Sequence, residues 1–288
     1  MVEFDAGGIR VYALSYDEAD ALADFRNAHG ITYTLLSDPD SEVIRAYGIL
    51  NTLIDPEDHP WFGIPYPGTY VIDSSGTITH KFFDSNLAVR AGPEQLLRAL
   101  RGEPAAATGT AVEVAEPDEV TVHVFLDGES LTPTVQRDLI VRFQVPNGRH
   151  VYAEPAPEGS VAIDVKLEPN ERIVQRPLIR PSSELHMLAG TDESFPVHHG
   201  EFEVRLPLTV NGGVLDEGSH ASLTLNGTIR WQACDNEVCD IPVSRSFELT
   251  VPVTKSPPVA LRGEAGQALE PNARAHFQRM MDRRKSRV

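Results

Sequence analysis

Cysteine is nearly absent from this chain: two of 288 residues, Cys234 and Cys239, with none before them. A disulfide-rich scaffold is thereby excluded. The first four-fifths of the chain cannot act alone as a peroxidase or dithiol reductase, because the thiolate is the nucleophile and no neighbouring residue type replaces it. Long apolar runs are missing too. No stretch approaches the length of a membrane span, and Val2-Glu3-Phe4-Asp5 leaves no secretory apolar region after Met1. Basic residues are few, 25 against 42 acidic, giving a net charge of −17 that disfavours nucleic-acid and anionic-membrane partners. Gly-rich phosphate loops, hydrolase elbows and zincin helices are also lacking. The remainder, 41% apolar and 23% charged, is globular in character and long enough for two domains.

What is present centres on Trp231-Gln232-Ala233-Cys234-Asp235-Asn236-Glu237-Val238-Cys239-Asp240-Ile241-Pro242. A β-like stretch, Gly227 to Trp231, precedes it, and Ser246 to Val251 alternates with period two after it. The spacing predicts two antiparallel strands with a cysteine-bearing turn between them. Across such a turn the Cβ atoms approach to about 4 Å, which suits a disulfide.

Residues 1–101 alternate strand and helix signals. A buried strand is expected over Gly8–Leu14, a helix capped by Asp17 through Ala28, a short strand at Tyr33–Leu36 and a short helix at Ser41–Tyr47. Thr69–Asp73 and Thr77–Phe82 flank Ser74-Ser75-Gly76 as a hairpin, and Pro93 opens a last helix. This order predicts an α/β layer. Residues 102–117 are Ala-, Gly-, Thr- and Pro-rich and read as a linker. Residues 118–254 carry short strands at Val120–Phe125, Asp138–Val145, Val161–Leu167, Phe202–Val210, Ala221–Leu225, Thr228–Ala233 and Ser246–Val253. That pattern predicts an all-β sandwich of immunoglobulin-like dimensions. Residues 255–288 form a Pro-rich, then basic, tail with Arg283, Arg284, Lys285 and Arg287 near its end.

At Leu35-Leu36-Ser37-Asp38-Pro39-Asp40, Ala46-Tyr47-Gly48 and Gly63-Ile64-Pro65-Tyr66-Pro67-Gly68-Thr69-Tyr70-Val71-Ile72-Asp73, the chain resembles the redoxin branch of the thioredoxin superfamily. The peroxiredoxin and alkyl-hydroperoxide-reductase (AhpC/TSA) group is the nearest likeness. The resemblance implies an α/β thioredoxin-like domain and a cis peptide bond before Pro67. It also implies an N-terminal strand, cysteine loop and helix ahead of Ile9, so the domain is expected to be incomplete and Met1 to be an internal start of a longer protein. In the family fold the missing strand lies centrally, leaving two strand edges without partners.

The second part resembles the N-terminal, immunoglobulin-like domain of the thiol:disulfide interchange protein DsbD. Asn147-Gly148-Arg149-His150-Val151-Tyr152, Arg205-Leu206-Pro207-Leu208 and the Trp231–Pro242 motif carry the likeness. It implies that Cys234 and Cys239 are a redox-active pair and that the partner is a thioredoxin-like protein or domain, including the redoxin part in cis. Further thiol proteins would receive the electrons, in an extracytoplasmic (periplasmic) compartment. It also implies an aromatic cap over the cysteines, for which Phe195, in Gly190–Pro196, is the candidate.

Two readings stay open for the pair: thiol–disulfide exchange, or a structural staple in a non-catalytic two-module binding or scaffold protein. Asp235, Glu237 and Asp240 flank the sulfurs, with no Lys or Arg between Arg230 and Arg245. Negative neighbours raise a thiol pKa, so a comparatively reducing disulfide is expected. No cofactor or metal is expected. His198-His199 reads as a solvated turn, and Asp38, Asp40 and Glu42 as helix capping rather than a cation loop.

Overall fold

The computed structural model describes residues 2–54, 62–105, 107, 111–115, 120–187, 193–211 and 222–254. The tail at 255–288, positions 106, 108–110 and 116–117 of the expected linker and the start of the cap stretch at 190–192 therefore lie outside the described residues. The chain divides into two compact units, Met1–Gly68 and Thr69–Ser256.

The first unit opens with α1 (Val2–Ala6), followed by β1 (Tyr12–Ser15), α2 (Ala19–His29), β2 (Thr34–Ser37) and α3 (Glu42–Ala46). β1 and β2 pair in parallel, Tyr12 opposite Thr34 through Ser15 opposite Ser37. Helix α2 is the crossover that parallel strands require. Its N-cap is Glu18 and not Asp17. Asp17 accepts the Ser15 hydroxyl at 2.5 Å, so it braces the turn instead of the helix. Gly30, at φ 61°, closes α2 by donating its N–H to Arg26 O. Asp38 is buried and accepts from Glu42 N–H and Ile44 N–H, both at 2.9 Å, which is the helix-capping role expected of it.

The bond before Pro67 departs from expectation. Among the described residues the cis peptide is Glu154–Pro155; Tyr66–Pro67 is trans. Tyr66 donates its N–H to Ile49 O at 2.6 Å, and the trans bond then carries the chain straight into the strand that begins at Gly68.

In the second unit, β3 (Gly68–Ile72) and β4 (Ile78–Phe83) form a two-stranded hairpin. Asp73 shapes its turn by accepting from Ser75 and Thr77 N–H, each at 2.9 Å, with Gly76 at φ 87°. β5 (Arg90–Ala91) and α4 (Pro93–Arg101) follow. Helix α4 is tied to the β-rich part by a buried polar cluster. Gln95 Nε2 donates to Asp138 Oδ1 and Arg98 Nη2 to Asp138 Oδ2, both at 2.6 Å. Arg98 Nη1 lies 3.2 Å from Asp127 Oδ2.

Burial, and then the neighbouring Asp138 charge, push the Asp127 carboxyl up to about 8, against the pull of Arg98. The folded protein therefore holds a proton that the unfolded chain releases near its ordinary carboxylate pKa. The contribution of Asp127 to stability is full below that value and is lost as pH rises toward about 8. Asp127→Asn, neutral throughout, is expected to flatten the decline. Urea midpoints measured across this range check it, and a wild-type midpoint that does not fall would refute the assignment.

The remaining described elements of this unit are β-strands. β6 (Val112–Ala115), β7 (Thr121–Leu126), β8 (Val135–Gln144), β14 (Glu201–Val210) and β11 (Ile173–Gln175) make one sheet in the order β11-β14-β8-β7-β6, with β5 beside β8. β10 (Asp164–Leu167), β15 (Ser222–Trp231) and β17 (Val243–Pro252) make a second. Val122, Val124, Leu139, Val141, Phe143, Val204 and Leu206 of the first sheet meet Val165, Leu225, Ile229, Trp231, Phe247 and Leu249 of the second in one apolar core. A third sheet runs β12 (Glu184–Met187), β13 (Ser194–His198), β9 (His150–Tyr152) and β16 (Ala233–Cys234).

Two sequence expectations are corrected here. Val112–Ala115, expected as linker, is a strand paired antiparallel to β7, and Ala105 is buried against Phe125 and Ile140. The small side chain of Ala105 lets the backbone lie close to that surface, and the short Val112-Glu113-Val114 alternation supplies the strand, whereas the Ala-, Gly- and Thr-rich composition between them reads as flexibility. The two strands expected at Ala221–Leu225 and Thr228–Ala233 are one strand, β15, through Asn226-Gly227. Gly227 faces Phe247, and a Cβ there would stand 2.5 Å from Phe247 Cζ and 2.6 Å from Lys166 O. This glycine makes room for an aromatic ring instead of turning the chain. No helix among the described residues is long and apolar enough to cross a membrane.

Candidate functional site

The expected hairpin is present: β15 and β17 pair antiparallel from Ser222–Pro252 to Trp231–Val243. Period-two alternation drives its inward residues into the core, Trp231 being fully buried with its ring edge-on to Phe143 at 6.0 Å. Beyond Trp231 the chain leaves this sheet. Ala233 and Cys234 pair with Val151 and His150 of β9, so the cysteine turn crosses between sheets.

The turn is strongly braced. Gln232, buried, accepts from Val161 N–H at 2.9 Å and donates to Asp240 O at 2.9 Å. Asp240 returns its N–H to Ala233 O, and Asp235 N–H bonds Val238 O. Asp235 Oδ1 accepts from Glu237 and Val238 N–H, each at 2.7 Å, and these bonds hold its carboxyl below the usual range. Within this frame Cys234 and Cys239 form a disulfide, S–S 2.06 Å. The two halves differ in access: Cys234 is 1% exposed, whereas Cys239 is exposed.

Strand register decides what faces the pair. Residues opposite one another point to the same side of a sheet. Cys234 is opposite His150, Tyr152 opposite Val197, and Phe195 opposite His186. One face therefore carries Cys234, His150, Tyr152, Val197, Phe195 and His186. Tyr152, Val197 and Cys234 form a small apolar cluster with Phe195 packed against it. The Tyr152 hydroxyl lies 3.6 Å from Cys239 Sγ. Phe195 thus sits in a strand beside the cysteine cluster, next to the segment 188–192 that lies outside the described residues.

Several of these groups escaped the sequence. The expectation of purely acidic surroundings is revised, because Arg149 pairs with Asp240. His150, His186 and His199 come together, with ring centroids 4.3 Å apart for His150–His186 and 5.7 Å for His150–His199. The Nδ1 of His199 is 3.1 Å from Arg149 O, which orients the ring. His198 is not a solvated turn residue: it is buried in β13 and stacks on Phe202 at 4.6 Å. It does turn away from its neighbour, as adjacent strand residues must. Among the described residues no group of three side chains is arranged to hold a metal ion. Tyr152, and with it Arg149 and His150, could have been found in the Asn147–Tyr152 motif, but nothing local singled out His186 or His199.

Comparison with known proteins gives separate results for the two parts. A family model described as AhpC/TSA family matches residues 1–81. Two putative peroxiredoxins of Mycobacterium tuberculosis, from strains CDC 1551 / Oshkosh and ATCC 25618 / H37Rv, are each 36% identical over 80 residues. Those residues are 26% of this chain and 47% of each relative, so the chain spans about half the length of the curated relatives it matches. The matched segment holds no cysteine. Among solved structures, the N-terminal periplasmic domain of ScsB from Proteus mirabilis aligns at 15% identity and TM-score 0.33, covering 59% of this chain and 57% of that one. Residues 1–81 thus match the AhpC/TSA family model, and the described residues are mostly β with few helices.

Proposed function

We propose that the protein is a thiol–disulfide electron carrier working through Cys234 and Cys239. The observation that carries this reading is the split in access, with one sulfur exposed at the turn and its partner buried 1% exposed behind it. A thiolate attacks one sulfur in line with the bond and expels the other, so one reachable sulfur is sufficient. Cys239 receives the incoming thiolate and Cys234 leaves.

In this reading residues 1–101 are a redoxin module, 102–117 the connection, 118–254 an immunoglobulin-like, DsbD-type sandwich and 255–288 a tail. A thioredoxin-like protein or domain supplies the electrons, and other thiol proteins receive them. Phe195 limits access of small oxidants to the cluster beneath it, which is the cap role.

The test is a redox titration of the Cys234–Cys239 pair in glutathione and dithiothreitol buffers. A midpoint near that of thioredoxin, about −270 mV, is expected. Resistance to reduction below about −300 mV would replace this reading with the staple in a non-catalytic scaffold.

A further inference from the structure

Resting on that exchange reading, we propose that His150 stabilises the sulfur anion left on Cys234 when Cys239 is attacked. His150 and Cys234 are direct register partners across β9 and β16. Their Cβ atoms are therefore about 4.5–5.5 Å apart on one face of the sheet, within reach of an imidazole. Both residues are deeply buried, at 2% and 1% exposure. In the disulfide-bonded protein the Nε2 of His150 is buried with no hydrogen-bond partner among the described residues. A polar nitrogen kept in that condition costs free energy unless a partner arrives in another state of the protein. Reduction creates that partner, because it turns a bonded sulfur into a thiolate or thiol.

The neighbours leave this task to His150. Tyr152, whose ring is 5.6 Å from that of His150, places its hydroxyl at Cys239 Sγ. Asp235 is occupied by the backbone N–H groups of Glu237 and Val238. The rings of His186 in β12 and His199, just after β13, lie 4.3 and 5.7 Å from that of His150, and Arg149 precedes it in the chain. Burial first, then His186 and His199, pull the His150 pKa down to about 4, with Asp235 opposing and Arg149 assisting. The ring is consequently neutral at physiological pH and offers an N–H bond with no net charge.

The chemistry balances as follows. The thiolate of a donor protein attacks Cys239 Sγ and forms a new S–S bond. The Cys234–Cys239 bond breaks, and its electron pair stays on Cys234 Sγ, which accepts the His150 N–H bond and then a proton from solvent. The donor's second thiol resolves the mixed disulfide, so the donor departs oxidised and the pair becomes a dithiol. A better-stabilised leaving thiolate departs faster.

The thiolate of Cys234 is titrated by ultraviolet absorbance in a Cys239→Ser background, with His150 intact or changed to Phe or Gln. His150→Phe is expected to raise the Cys234 pKa by about one unit, and to slow dithiothreitol reduction of the two-cysteine protein by about tenfold. His150→Gln, which keeps an N–H donor, restores most of both. An unchanged pKa and rate in His150→Phe overturn the proposal. If that variant does not fold, the ring-nitrogen NMR resonances of wild-type His150 decide: they move on reduction at alkaline pH, or the proposal fails. A wild-type disulfide that no dithiol reduces would instead overturn the exchange reading itself.

Discussion

Cys234→Ser, with Cys239 left free, accumulates a mixed disulfide with an oxidised dithiol protein or with oxidised glutathione, whereas Cys239→Ser does not. The expected difference in capture rate is at least about a hundredfold, because the remaining thiol is reachable in the first variant and buried in the second. The first variant also cannot resolve the adduct, since its second sulfur is gone. Intact-protein mass spectrometry after incubation with oxidised glutathione reads both effects. Equal capture by the two variants would mean that access does not select Cys239, and the direction assigned to the exchange would then be wrong.

Trp231→Ala is expected to cost about 3–5 kcal/mol of stability, the range for deleting a large aromatic from a closed core. Trp231 is fully buried, edge-on to Phe143, and it is the last residue of β15 before the chain crosses to the cysteine sheet. Little can collapse into the space, because the flanking strand is already filled by Phe247 against Gly227. Urea unfolding followed by circular dichroism measures the loss. A change below about 1 kcal/mol would show that the core tolerates the cavity and that Trp231 is not its anchor.

How much of this was legible in the sequence depended on the range of the interaction. The cysteine hairpin was readable because alternation at 246–251, the strand before Cys234 and Pro242 after it are all local signals. The Asp38 cap and the Asp73 turn were readable for the same reason. The gathering of His150, His186 and Arg149 at the sulfurs was not, since it arises from pairing between strands far apart in sequence, Arg149 and Asp240 being 91 residues apart. Counting charges along 230–245 therefore missed the guanidinium that answers Asp240. Residues 112–115 differ from expectation because Val112-Glu113-Val114-Ala115, too short an alternation to stand out, follows an Ala- and Thr-rich stretch that masks the β7 edge it completes. The trans bond at Pro67 shows that a motif's family geometry does not travel with its residues alone.

One consequence follows from how the cysteine turn is fastened. Gln232 grips Asp240 and Val161, Asp240 answers Ala233, and Asp235 folds over Glu237 and Val238, all without calling on sulfur. Opening the disulfide therefore releases two atoms and leaves the scaffold around them standing. Electrons can enter and depart with little rearrangement of the surrounding matter, so each cycle finds the same mould waiting for the next.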